Sequence, residues 1–230
     1  MSTTSPARRV AVLGAGGRVG RAVTAALLPH GLHVEAVLRQ PDRHDLPPHP
    51  RLRVVPGDAQ RPAELASTLR AVDALVLAVT PFSAPPQSFD DFDLDYYAAI
   101  VAGIDATWRA PRRRLVAVGL AATLTLDSGT VLMDDETLFP PALTPFAQAH
   151  ARHLPALAAT TLDWAVLTPP AGFGTPDGPA AGQAYRLVAE PLSREQATTT
   201  LTYDEYARAV ADEVVRPSVH AARVAVLSRA

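Results

Sequence analysis

Apolar residues follow two rhythms along this chain. Short unbroken runs stop abruptly at glycine, proline or a polar residue and read as fully buried strands. They are RVAVLG (9–14), HVEAVLR (33–39), LRVVPGD (52–58), DALVLAVT (73–80), RRRLVAVG (112–119), DWAVLTPP (163–170), AYRLVAE (184–190) and ARVAVLS (222–228). Between them the apolar positions recur at helical spacing. One helix is expected over 18–28, closed by Pro29 and Gly31, and another over 61–72 with Pro62 near its start. A long one is expected over 91–109, with Asp91 and Asp93 in a first turn whose dipole favours acids. Residues 143–161 read as a helix with Thr144 as cap and Pro145 first, which Pro155 should kink or divide. TYDEYARAVADEVVRP gives a last helix capped by Thr202. QPDRHDLPPHP (40–50) and AGFGTPDGPAAGQ (171–183) read as loops, and Thr198–Thr200 as strand or turn.

Strands alternating with helices, and apolar throughout, imply an α/β protein whose parallel sheet is covered on both faces. The rhythm changes after Pro170. The expectation is one domain over 1–230, with about 170–230 forming a small C-terminal substrate lobe.

Composition narrows the chemistry. About half of the 230 residues are apolar, enough for one sizeable core. A formal net charge of -2 gives no basic footprint for nucleic acid. Without cysteine there is no disulfide, thiol catalysis or cysteine metal site, and nothing in the sequence specifies a metal centre. No apolar run reaches the roughly 18 residues of a membrane span, and MSTTSPARR lacks a signal-peptide core. A cytoplasmic protein, monomer or homodimer, acting on a small molecule is expected. All 21 cationic side chains are arginine; the chain has no lysine.

Gly14, Gly16, Gly17 and Gly20 fall where the first strand meets the first helix. Read as Gly14-x-x-Gly17-x-x-Gly20, they match the dinucleotide-binding fingerprint. The first glycine permits the turn, the middle ones let backbone approach a pyrophosphate, and the last lets helix pack on strand. The helix N-terminus behind them, including Arg18 and Val19, offers free N–H groups to an anion. The expected fold is thus a Rossmann-like doubly wound sheet. The second strand ends on Arg39 rather than on the acid that NAD sites place at the ribose 2′-OH, and Glu35 comes too early. Arg39, with Arg18, suits a 2′-phosphate, which favours NADP(H) over NAD(H).

These motifs, with AVLRQPDR, VVPGD, DALVLAVTP, RRLVAVG, LDWAVLTPP, YRLV and LTYDEYARAVADEVVRP in this order, resemble the atypical short-chain dehydrogenase/reductases of the NmrA-like, NAD(P)H-binding type. Within that group the chain is most similar to the NADH-flavin reductases and, more distantly, to the flavin reductase/biliverdin reductase B proteins. The resemblance implies that Asp58 lies by the adenine and that Ala78, Val79 and Thr80 line the ribose. It places Gly119 and Leu120, with Pro169 and Pro170, around the nicotinamide. His150 matches an active-site histidine of the biliverdin/flavin reductases and is the candidate proton donor near neutral pH. The Tyr-x-x-x-Lys dyad of the main short-chain dehydrogenases cannot exist in a chain without lysine. A serine-rich stretch after the fifth strand is replaced by GLAATL, where Thr123 is the nearest hydroxyl.

What remains is chemistry that needs orientation more than proton machinery. The expected activity is NAD(P)H-dependent oxidoreduction, with hydride passing from NADPH to a flavin (FMN or FAD as substrate), a quinone or a similar planar acceptor. Two alternatives stay open: an NADP-sensing regulator without turnover, and a specialised-metabolism isomerase or cyclase reusing the fold. Substrate candidates are Phe82 on an irregular lid over 81–89, which also holds Phe89, then Thr123, His153, Tyr185 and Arg186. The acidic knot Asp134, Asp135 and Glu136 could take a cationic or hydroxylated group. Trp108 and Trp164 read as packing.

Overall fold

The computed structural model describes residues 9–82, 86–89, 91–109, 113–174 and 184–229. In chain order the elements are β1 (Arg9–Leu13), α1 (Arg18–Leu27), β2 (His33–Leu38), β3 (Leu52–Pro56), α2 (Ala66–Ala71), β4 (Ala74–Leu77), α3 (Tyr96–Thr107) and β5 (Arg114–Val118). Then follow α4 (Thr144–Ala158), β6 (Asp163–Thr168), β7 (Gly172–Phe173), β8 (Tyr185–Val188), α5 (Arg194–Thr198), β9 (Thr200–Leu201), α6 (Tyr203–Val215) and β10 (Ala222–Ser228).

Eight strands form one sheet in the order β3-β2-β1-β4-β5-β6-β10-β8, all parallel except the edge strand β8, which runs antiparallel to β10. The fold is the expected Rossmann-like doubly wound sheet. Alternate strand residues feed two apolar layers. Leu13, Leu77, Leu115 and Val166 pack with α2, α3 and α4 on one face. Val12, Val76, Val116 and Leu167 pack with α1 and α6 on the other. Trp108 and Trp164 are buried in the first layer. Among the described residues no helix is long and apolar enough to cross a membrane.

Several local expectations are corrected. The long helix begins at Tyr96, not Asp91, because Asp93 accepts the Asp95 N–H at 2.9 Å and holds the preceding segment in a turn. The acids therefore lie outside its first turn. Pro62 opens a 3₁₀ turn, and α2 proper starts at Ala66. Leu143 takes the cap position of α4 and Thr144 is its first residue. Pro155 does not divide α4; it is exposed within the last turn, where water can serve the carbonyl that loses its donor. Thr202 caps α6 as expected, through a reciprocal bond with Glu205.

The chain after Pro170 is not a separate unit, since α6 and β10 belong to the main layers. A third small core joins Leu124, Leu126 and Leu132 from the segment after β5 to Leu192 and Ala197, against Leu227. The lobe is thus built from two stretches of chain, one of them before residue 170. The loop expected over 171–183 contains β7, paired with β9; residues 175–183 lie outside the described residues.

At the opposite end of the sheet Arg114, only 5% exposed, ties α6 to β5 and β6. Its guanidinium donates to Glu213 Oε2 at 2.7 Å, to Val219 O at 2.8 Å and to Asp163 Oδ1 at 3.3 Å. Removing one partner of such a pair strands the other charge. Glu213→Ala should therefore cost about 3–5 kcal/mol, read as a lowered urea midpoint, whereas the exposed Arg61–Glu64 pair should cost under about 1 kcal/mol when broken.

Candidate cofactor and acceptor site

The strand order reverses between β1 and β4, and the ends of these two strands touch. Gly14 takes the left-handed region, φ +84, and a Cβ there would lie 2.3 Å from the Ala78 carbonyl oxygen. Gly20, one turn into α1, leaves room for the Gly14 carbonyl, 2.1 Å from where its own Cβ would be. Both positions therefore demand glycine on steric grounds. Gly17 sits in the cap position of α1 in extended conformation, with no side-chain cap and no acid in the first turn. The first N–H groups and the positive end of α1 are left for an anion. This cradle fits a dinucleotide pyrophosphate. Val19 is half-buried against the α1/α6 layer, and Arg18 points to solvent.

The neighbouring edge is cationic. Arg39 follows β2 and is exposed, and among the described residues neither it nor Arg18 forms a hydrogen bond or ion pair. Glu35 is not available to a ribose, because it is buried on Arg53 at 2.6 Å and Arg9 at 3.6 Å. Asp58 accepts the Gln60 N–H at 3.0 Å and keeps a carboxylate near the end of β3. Tyr96 feels both Arg39 and Asp58. Burial raises its phenol pKa, with Asp58 adding to the rise and Arg39 opposing it. The sequence reading missed Tyr96, whose place at the head of α3 brings it to this edge.

A second cluster lies beyond β5. Gly119 donates to Leu167 O at 2.8 Å, and a Cβ on it would strike Thr168 Oγ1 at 2.2 Å. Behind Gly119 and Leu120 a small pocket is lined by Thr123, His150, His153, Leu154, Val166 and Arg223. Thr123 donates to Leu120 O at 2.8 Å. The His150 ring stacks on Tyr97, centroids 3.9 Å apart, and meets Phe146 edge-on at 4.9 Å. His153 is 2% exposed, and its Nε2 has no hydrogen-bond partner among the described residues. Arg223, also missed in the sequence, reaches the pocket from β10 and is held by Glu190 at 2.5 Å.

Residues 14–217 match the profile of a family described as NAD(P)H-binding. This chain belongs to that family. The uncharacterized protein YwnB of Bacillus subtilis is 25% identical over 227 residues, covering 96% of this chain and 99% of YwnB. Crystal structures with the same fold include a "putative epimerase" from Bacteroides thetaiotaomicron (TM-score 0.81, 23% identity, 97% of this chain and 98% of that one). Another is a "putative NADH-flavin reductase" from Streptococcus pneumoniae (0.77, 23%, 96% and 100%). A wide-type short-chain dehydrogenase/reductase from Veillonella parvula, solved in complex with NADP, has a TM-score of 0.71 at 18% identity, over 96% of this chain and 95% of that one.

Within this NAD(P)H-binding chain the strand ends bring Gly14, Gly16, Gly17, Gly20, Arg39, Asp58, Ala78, Val79, Thr80, Gly119 and Pro169 to one edge of the sheet. The substrate candidates divide. Thr123, His150 and His153 share the pocket. Tyr185 and Arg186 do not line it: they lie on the outer strand β8, where Tyr185 gives its hydroxyl to Asp212 of α6 at 2.7 Å. Phe82 packs on Phe89 and Phe146, with centroids 5.5 and 5.0 Å away, so these rings anchor the loop rather than face outward. Residues 83–85 of the expected lid lie outside the described residues. The acidic knot is also spent. Asp135 pairs with Arg194 and accepts from the Thr137 hydroxyl at 2.6 Å, while Asp134 and Glu136 face solvent.

The expectation that His150 donates a proton near neutral pH is corrected. Burial first, and the adjacent His153 second, hold it well below the ordinary histidine range. Burial pushes His153 down to about 4. Both imidazoles are therefore neutral at pH 7. A depressed folded-state pKa means that the unfolded chain binds the extra proton first, so stability is full above pH 6.5 and falls as pH drops towards 4. For His153 the loss is about 3 kcal/mol. His153→Leu should flatten the acid limb of a melting-temperature profile between pH 7 and 4 by that order, with little change at pH 7.

Proposed function

We propose that this protein is an NADPH-dependent reductase of a planar acceptor such as a flavin or quinone. The observation that carries the reading is the glycine turn with its uncapped helix N-terminus, flanked by Arg18 and Arg39, which have no side-chain partner among the described residues, while Glu35, the acid of β2, is taken up by Arg53. Bound NADPH would supply the hydride. The chain's own part is to seat the pyrophosphate on the first N–H groups of α1 and to set Arg18 and Arg39 against the 2′-phosphate. Neutral His150, at the pocket behind Gly119 and Leu120, can donate a hydrogen bond to an acceptor carbonyl without carrying charge. Without a Tyr–Lys dyad, and with neutral histidines, an acceptor that takes hydride without an obligatory proton relay fits better than a ketone. The NADP complex of the Veillonella parvula neighbour supports the choice of cofactor by analogy of fold.

One observation favours a second reading. His150 is packed between Tyr97 and Phe146 rather than presented to an open cleft. That would suit a protein that senses NADP(H) without turnover.

Titration with NADPH and NADH, followed by nicotinamide fluorescence and melting temperature, separates these readings. NADPH should bind more tightly and raise the melting temperature. Arg39→Ala should weaken NADPH by about tenfold or more and NADH little. NADPH oxidation on adding FMN or menadione supports the reductase; tight binding with no oxidation by either supports the sensor. Binding of neither nucleotide would refute both.

A further inference from the structure

The loop after β2 carries a side chain that neither the fingerprint nor the arginine argument uses. A 3₁₀ turn over Pro41–Arg43 brings His44 back across the glycine turn. Its ring covers Gly16. The place where a Gly16 Cβ would stand is 2.7 Å from Cε1, 2.7 Å from Nε2 and 2.8 Å from Cδ2. Near-equal distances to three consecutive ring atoms mean that the imidazole lies face-down on the glycine, with its Nε2 end over it. Any other residue at position 16 would push the ring away.

Arg21 fixes the other end. From α1 its Nε donates to the Gly16 carbonyl at 3.1 Å, and its terminal nitrogen meets His44 Nδ1 at 3.4 Å. Arginine has no acceptor, so Nδ1 accepts, which leaves the ring N–H on Nε2. That N–H lies in the ring plane, on the side away from Arg21. Among the described residues Nδ1 is the ring nitrogen that a neighbour engages. His44 belongs to the loop that follows β2, so its ring spans the gap from that loop to the glycine turn, beside the place where the ribose side of a dinucleotide lies.

We propose that His44, seated on Gly16 and oriented by Arg21, donates its Nε2–H to the phosphate on the adenosine ribose and is a specificity determinant for the 2′-phosphorylated nucleotide. This rests on the reading of the glycine turn as an NADPH site. It adds a directional donor to the diffuse charge of Arg18 and Arg39. Position 16 is then glycine because the imidazole that covers it leaves no room for a side chain.

The test uses the full chain and two probes, 2′,5′-ADP and 5′-AMP, which differ only in the phosphate at issue. Calorimetry should show that the wild type prefers 2′,5′-ADP. His44→Ala should weaken 2′,5′-ADP about tenfold and 5′-AMP less than twofold. His44→Gln, whose amide N–H reaches about as far as Nε2, should recover most of the loss. Arg21→Ala should lose a few-fold on 2′,5′-ADP alone, because the ring is no longer oriented. Melting curves confirm that each variant is folded. Equal weakening of both probes in His44→Ala would show a role in loop structure only and overturn the proposal. So would an unchanged preference in His44→Ala while Arg39→Ala abolishes it, and that outcome would leave the NADPH reading intact. A wild type that binds 2′,5′-ADP no better than 5′-AMP would remove the NADPH reading and this proposal together.

Discussion

The structure turns on one close approach. The Gly14 Cα and the Ala78 carbonyl meet where β1 and β4 part company, and no side chain fits between them. Gly14 accepts the steric demand by going left-handed, which few other residues tolerate. Gly20 then lets α1 settle directly on that turn. Because α1 starts there, its positive end opens onto the crevice where the strand order reverses, the place an open α/β sheet offers to ligands. The cradle, the cationic edge beyond β2 and the pocket beyond β5 are all positioned by this corner.

Around that corner the arginines divide by task. Arg114 and Arg223 are largely buried, and each is met by a carboxylate. Arg53, though exposed, neutralises the buried Glu35 and so takes the one acid of β2 out of play. Among the described residues Arg18 and Arg39 have no such partners. Guanidinium groups keep their charge in every environment and offer forked donors. A chain without lysine can therefore pin carboxylates in its interior and still present permanent positive charge at an anion cradle. The cost is that no ammonium can shift its pKa to assist proton transfer.

Much of this was legible in the sequence because it depends on near neighbours along the chain. Apolar runs ending at glycine or proline marked the strands, the glycine spacing marked the turn, and Thr202 with Glu205 marked the start of α6. Ser193 and Gln196 form the same reciprocal cap on α5. That signal was present and passed over, because five residues are too short for an apolar rhythm. The start of α3 was misplaced because the acids before it serve a turn, not a dipole. The small third core could not be read at all, since it joins segments more than fifty residues apart.

The site shows the same division at finer scale. Residues on strand ends were assigned through the family resemblance, and they fall at the carboxyl ends of the strands, where an open α/β sheet places ligands. Residues whose role depends on the state of a neighbour were not so legible. His150 read as a proton donor because an isolated imidazole titrates near neutrality. Its companions Tyr97, Phe146 and His153 come from α3 and from its own helix, and together they strip away the water that a charged ring requires. His44 read as nothing, because its meaning lies in a glycine 28 positions earlier that gives it a flat seat. In both cases the sequence supplied the side chain and tertiary packing supplied its protonation or its direction. Those two properties decide whether an imidazole in a nucleotide crevice acts as an acid or as a donor of fixed direction: burial sets the first for His150, and Arg21 sets the second for His44.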